Sequence, residues 1–123
     1  METQCITVGP THIDEEAIAR AGKILRDGGL VAFPTETVYG LGGDAFSPTS
    51  SRKIYAAKDR PSDNPLIVHI CRMEDLYRVA TPVPKAALQL AAAFWPGPLT
   101  MILHKTALVP TETTGGLDTV AVR

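Results

Sequence analysis

Apolar positions along this chain follow two rhythms, one helical and one extended. Ala17, Ile18, Ala21, Ile24 and Leu25 recur at helical spacing and predict a helix that packs one face on a sheet. Asp14 is placed to cap it, Glu15 and Glu16 suit its first turn, and Gly28 is placed to end it. Leu30-Val31-Ala32-Phe33 is a continuous apolar run bounded by Gly28-Gly29 and Pro34, which predicts a buried strand. Ser47-Pro48-Thr49-Ser50 reads as a helix start, with a serine cap and a proline just inside. That helix, residues 49–57, ends near Lys58-Asp59-Arg60, because Pro61-Ser62-Asp63-Asn64-Pro65 cannot continue it. Leu66-Ile67-Val68-His69-Ile70 predicts a second buried strand.

Flanking segments extend the pattern. Residues 5–8 read as a short edge strand ended by Gly9-Pro10, and residues 73–79 as a short helix with Glu74 and Asp75 early in it. Residues 85–94 predict a helix apolar almost all round, hence well buried. Trp95-Pro96-Gly97-Pro98 is a rigid turn, with core packing the expected role of its tryptophan. Residues 99–103 and 119–122 read as strands. Between them residues 104–118, rich in hydroxyls and glycine, predict a mobile loop or lid. This alternation argues an α/β fold. The irregular breaks argue against a purely parallel sheet.

Composition adds limits. A chain of 123 residues is one domain by length, with 45% hydrophobic and 20% charged residues. A formal net charge of −1 means that any nucleic-acid contact needs a local basic patch. Cys5 and Cys71 have no metal-site spacing and read as free thiols of a reducing compartment. The first residues carry no signal-peptide pattern, and no apolar run approaches the roughly 18 residues of a membrane span. A soluble, cytoplasmic protein is expected.

Chemistry concentrates between residues 28 and 70. Pro34-Thr35-Glu36-Thr37 leaves the first long strand with hydroxyls and a carboxylate at its mouth, where α/β sheets place ligands. Gly40-Leu41-Gly42-Gly43-Asp44-Ala45 matches G-x-G-x-x-A, but Phe46-Ser47-Pro48 intervenes before the helix, so a dinucleotide fingerprint is rejected. Lys58 and Arg60 stand beside a turn bearing Ser62 and Asn64, an arrangement suited to phosphate or carboxylate. On composition alone solvated charges on a surface loop are the better reading, because charged loops are common and anion sites are few. By the same standard His69 reads as a satisfied core histidine and Arg123 as a surface ion-pair partner.

PTETVYGLG, KDRPSDNPLIVHI, FWPGPLT and GLDTVAVR, in that order, resemble the consecutive motifs of the YrdC-like family, the threonylcarbamoyl-AMP synthases. The resemblance implies a twisted, mixed β-sheet with helices packed on its faces and a large concave cavity. It implies synthesis of L-threonylcarbamoyl-AMP and pyrophosphate from L-threonine, bicarbonate and ATP, with Mg²⁺, for a tRNA threonylcarbamoyl transferase complex. It assigns Lys58, Arg60, Ser62, Asn64 and Thr119 to ATP, with Lys58 and Arg60 as the catalytic cations and no metal-ligating residue. It assigns Thr35, Thr37, Tyr39, His69 and Arg123 to threonine. Family members continue past the strand ending in Arg123. Residues 1–123 are therefore expected to be an incomplete, C-terminally truncated YrdC-like domain with little synthase activity alone. The alternative is a double-stranded RNA-binding module using Arg52, Lys53, Lys58 and Arg60. A carbamoyl-adenylate domain of hydrogenase maturation would need accompanying segments that this chain lacks.

Overall fold

The structure, a computed structural model, describes residues 2–123. Its elements in chain order are α1 (Glu15–Arg26), β1 (Val31–Phe33), β2 (Gly40–Gly42), α2 (Pro48–Ala57), β3 (Ile67–Val68), α3 (Met73–Val79), α4 (Lys85–Phe94), β4 (Met101–His104) and β5 (Thr119–Val122). The fold is α/β, and its strands fall into two ladders. β1 and β2 pair antiparallel, while β5 lies between β3, parallel to it, and β4, antiparallel to it.

Helix ends follow local chemistry. Asp14 caps α1 by accepting from the Ala17 amide at 3.0 Å, and Ser47 caps α2 by accepting from the Ser50 amide at 3.2 Å. At the other end of α1, Gly28 adopts φ 82°. Its amide donates to Leu25 O, and that of Gly29 donates to Ile24 O, the paired bonds of a Schellman motif. The same motif ends α2, with Asp59 in place of glycine. Asp59 has φ 47°, its amide donates to Ala56 O at 3.4 Å, and that of Arg60 donates to Tyr55 O at 3.0 Å. Aspartate tolerates this left-handed conformation better than most side chains.

The glycines of β2 have a packing role. A Cβ on Gly40 or Gly42 would lie 3.1 or 2.7 Å from the Phe33 ring. β2 is therefore flat where Phe33 must lie, which explains a glycine pattern that otherwise mimics a dinucleotide loop.

The main core lies between α3 and the three-stranded sheet. Val68, Leu76, Val79, Ala80, Val109, Val120 and Val122 are buried together, with Phe46 and Trp95 packed against them. Trp95 is also tied down by its Nε1, which donates to Leu99 O at 2.8 Å. The expected core role of this tryptophan is what the structure shows.

Several expectations are corrected. Residues 5–8 form no strand. The strand expected over 66–70 shortens to Ile67–Val68, although the Ile70 amide still donates to Arg123 O at 3.0 Å before the chain enters α3. α1 buries only Ala17 and leaves Ile18 and Ile24 exposed. α4 buries only Ala87 and Ala91, and Phe94 is 58% exposed. Its apolar composition reflects alanine and leucine content, not all-round burial.

Residues 104–118 are not a loose lid. Val109, Thr113 and Thr114 are buried, the Leu66 amide donates to Thr113 O at 3.0 Å, and Thr114 Oγ1 donates to Leu117 O at 2.7 Å. The segment docks through Gly115, whose φ is 61° and where a Cβ would lie 2.7 Å from Asp63 O. Gly115→Ala is expected to destabilise the fold by about 1–3 kcal/mol, through strain at positive φ and displacement of the residue 61–65 turn. The check is urea unfolding, and an unchanged midpoint would contradict this contact.

Candidate functional site

A cavity of about 720 Å³ opens between the two ladders, α2 and α3. Thr35, Lys58, Arg60, His69 and Arg123 all line it. A smaller recess of about 410 Å³ adjoins it, sharing His69 and Arg123 and adding Glu36, Trp95 and Gly97.

Each side chain is placed by the backbone around it. The tight end of α2 turns the chain back after Lys58, so that Lys58 and Arg60 reach the same cavity. Arg60 Nη2 donates to Pro65 O at 3.0 Å, which ties the guanidinium to the following turn. Its Nε is buried and has no hydrogen-bond partner among the described residues. Lys58 is exposed and makes no ion pair among them. Tyr55 Oη donates to Asn64 O at 2.9 Å and braces the turn from below. Burial raises the Tyr55 pKa, partly opposed by Arg60, so the phenol stays a donor at neutral pH.

On the opposite wall, the Phe33 ring meets His69 edge-on, with centroids 6.0 Å apart. The β2 glycines thus position Phe33, and Phe33 flanks His69. His69 is exposed to the cavity, with Nδ1 3.3 Å from Ile67 O, so its reading as a core histidine is corrected. Arg123 is clasped to β3. Its amide donates to Val68 O at 2.8 Å, and its carbonyl accepts from the Ile70 amide at 3.0 Å. Its side chain is half-buried, Nε donates to Thr100 Oγ1 at 3.2 Å, and Nη1 lies 3.8 Å from Glu36 Oε2. Its reading as a surface ion-pair residue is therefore too simple, since both hollows include it.

Other expected residues stand apart. Thr37 and Tyr39 are exposed on the loop after β1, Ser62 and Asn64 on the turn after Arg60, and Thr119 half-buried in β5 opposite His104. None of the five lines either hollow. Thr35 Oγ1 donates to Val38 O and accepts from the Thr37 amide at 3.4 Å, so part of its hydrogen-bonding capacity folds the loop.

Some polar residues of the wall had no role in the sequence reading. Arg72 and Arg78 line the large cavity, with Asp75 between them at 3.5 and 3.9 Å. The spacing of three residues from Asp75 to each arginine, with Arg72 just before α3 and Arg78 within it, was the available signal. Ser51 and Thr113 meet on the same wall at 2.7 Å. Thr113 Oγ1 donates to Ala45 O at 2.8 Å, so its single proton is used and Ser51 is the donor to it. Arg52 and Lys53 are engaged elsewhere, with Glu112 at 3.0 Å and Gly28 O at 2.7 Å.

Five cationic side chains, Lys58, Arg60, Arg72, Arg78 and Arg123, thus face two carboxylates, Asp44 and Asp75, in the large cavity. Asp44 Oδ1 accepts from the Phe46 amide, and Asp75 is held by its two arginines. Such a concave, net-positive surface suits ligands carrying phosphate or carboxylate groups. Among the described residues no cluster of three or more His, Cys, Asp or Glu could hold a metal ion. Among them, too, no helix is long and apolar enough to cross a membrane.

The α/β frame and its cation-lined cavity give the class of fold and site, and sequence comparison narrows it. The chain belongs to the Sua5/YciO/YrdC family, described as telomere recombination, which it matches over residues 23–123. The threonylcarbamoyl-AMP synthase of Pyrococcus abyssi (strain GE5 / Orsay) is 54% identical over 112 residues, covering 91% of this chain and 33% of the relative. That of Bacillus subtilis (strain 168) is 51% identical over 112 residues, covering 89% and 32%. The chain thus spans about a third of the length of these two relatives. The crystal structure of P. abyssi Sua5 complexed with L-threonine matches with a TM-score of 0.88 at 54% identity, over 91% of this chain and 33% of that one. E. coli YciO matches with a TM-score of 0.77 at 24% identity, over 91% of this chain and 54% of that one, a likeness of fold alone.

Proposed function

We propose that this chain carries the substrate-binding residues of an L-threonylcarbamoyladenylate synthase. The observation that supports this best is the meeting of Thr35, Lys58, Arg60, His69 and Arg123 on one cavity from four separate stretches of sequence. Relatives named threonylcarbamoyl-AMP synthase, one of them solved with L-threonine, support this reading.

In this reading the threonine amine takes up bicarbonate, losing water, to form an N-carboxy species. Its carboxylate oxygen attacks the α-phosphorus of ATP, and pyrophosphate leaves. Most of the acceleration comes from positioning and from charge stabilisation. Lys58 and Arg60 hold the triphosphate, Arg123 meets the threonine carboxylate, and Thr35 and His69 lie beside the amino acid. Ser62, Asn64 and Thr119 line neither hollow, so their assignment to ATP rests on the family resemblance. Thr37 and Tyr39 border the threonine from the exposed loop. Mg²⁺ enters with ATP as part of the substrate. The product passes to a tRNA threonylcarbamoyl transferase complex.

RNA binding through Arg52 and Lys53 finds less support, because both side chains are spent on Glu112 and Gly28. The test is calorimetric titration of the chain with L-threonine and then with ATP–Mg²⁺. Saturable binding of both is expected. A folded chain that binds neither, yet binds double-stranded RNA with steep salt dependence, would replace this reading with the alternative.

A further inference from the structure

Glu36 stands out on the wall of the small recess. It comes from the loop after β1, and its Oε2 lies 3.8 Å from Arg123 Nη1. It is the one carboxylate of that recess, which it shares with His69, Arg72 and Arg123. The ion pair is unequal, with the Arg123 side chain 26% exposed and that of Glu36 50% exposed. Thr100 holds Arg123 at Nε, which fixes the guanidinium plane and leaves its outer nitrogens to a carboxylate. Glu36 is not fixed in that way. Its only recorded partner among the described residues is Arg123.

An α-amino acid carries a carboxylate and an ammonium two bonds apart. A site for it therefore gains from a cation and an anion side by side, and Arg123 with Glu36 is such a pair. We propose that Glu36 binds the α-ammonium group of the amino-acid substrate, by an exchange of partners. In the empty site Glu36 pairs with Arg123. On binding, the substrate carboxylate takes Arg123 and the substrate ammonium takes Glu36. One protein ion pair is replaced by two protein–ligand pairs, and neither charge loses its counter-ion. A ligand with a carboxylate and no amine takes Arg123 but leaves Glu36 unpaired, so Glu36 selects for amino acids over hydroxy acids. This inference rests on the reading in which Arg123 meets the threonine carboxylate.

The test uses Glu36→Gln, an isosteric change on an exposed loop, with calorimetric titration of the 123-residue chain by two ligands. One is L-threonine, and the other is 3-hydroxybutanoate, which keeps the carboxylate and hydroxyl and lacks the amine. The expected result for L-threonine is about a tenfold loss of affinity in the variant, the lower end of the range for a charge-assisted hydrogen bond. For 3-hydroxybutanoate the affinity should hold or rise, because its competitor for Arg123 has lost its charge. Equal or tighter threonine binding by the variant would overturn the role of Glu36 and leave it as a plug. Equal loss for both ligands would also overturn it, because the effect would then not report the amine. A parent chain that binds neither ligand overturns the amino-acid reading of the cavity, and this inference with it.

Discussion

Arg60→Ala is expected to weaken ATP–Mg²⁺ binding by about 10- to 100-fold, the effect of losing one or two charge-assisted hydrogen bonds. Arg60 is set apart from the other cations by its fixation. Its Nη2 is held by Pro65 O, and its Nε is buried without a partner among the described residues. A buried donor on a permanent cation is stabilised by an arriving phosphate more than a solvated lysine is. Arg60→Lys should recover only part of the affinity, since lysine keeps the charge and loses the planar fork. Lys58→Ala should weaken binding less than Arg60→Ala, because Lys58 is exposed. Calorimetric titration of the three variants checks the order, with a circular dichroism melt to confirm folding. Parent-like affinity in Arg60→Ala would remove Arg60 from the phosphate site.

Leu76→Ala is expected to lower stability by about 2–5 kcal/mol, which corresponds to a fall of roughly 10 °C or more in Tm. Leu76 is 0% exposed and lies at the centre of the core that joins α3 to the three-stranded sheet. The cavity left behind would loosen α3, which carries Asp75 and Arg78 on the wall of the large hollow. Thermal unfolding followed by circular dichroism measures the loss. A shift of only a few degrees would mean that the core collapses around the gap.

Much of this architecture was legible in the sequence. The caps Asp14 and Ser47 and the stop at Gly28 lie where local chemistry places them, because such signals need no tertiary partner. The strand 119–122 was read with its observed limits. β2 was not legible, since Gly40-Leu41-Gly42 carries no strand propensity and is a strand through its tertiary pairing with β1, where its glycines leave room for the Phe33 ring. The end of α2 at Ala57 was legible from the prolines that follow, but the motif that closes it was not. Asp59 occupies a position where sequence reading looks for glycine, and the hydrogen bonds from Asp59 and Arg60 that define the motif follow from geometry. The polar segment 104–118 read as a lid because its hydroxyls suggested solvent, whereas Thr113 and Thr114 spend theirs on internal carbonyls. Of the site, the residue types were readable and the grouping was not. Thr35, Lys58, Arg60, His69 and Arg123 share a cavity through tertiary pairings that no local pattern encodes.

The central place of β5 bears on how the protein emerges from the ribosome. β3 and β4 do not pair with each other, and each has its ladder only with β5. A nascent chain that has reached Asp118 already contains both flanking strands and α3, yet has no sheet on which to assemble them. Val68, Leu76 and Val79 then wait without Val120 and Val122, with which they are buried in the folded protein. Contacts of such long sequence separation form late. Vectorial synthesis therefore holds back closure of this sheet until residues 119–122 clear the exit tunnel, and the unfinished chain is in that interval a natural client for chaperones.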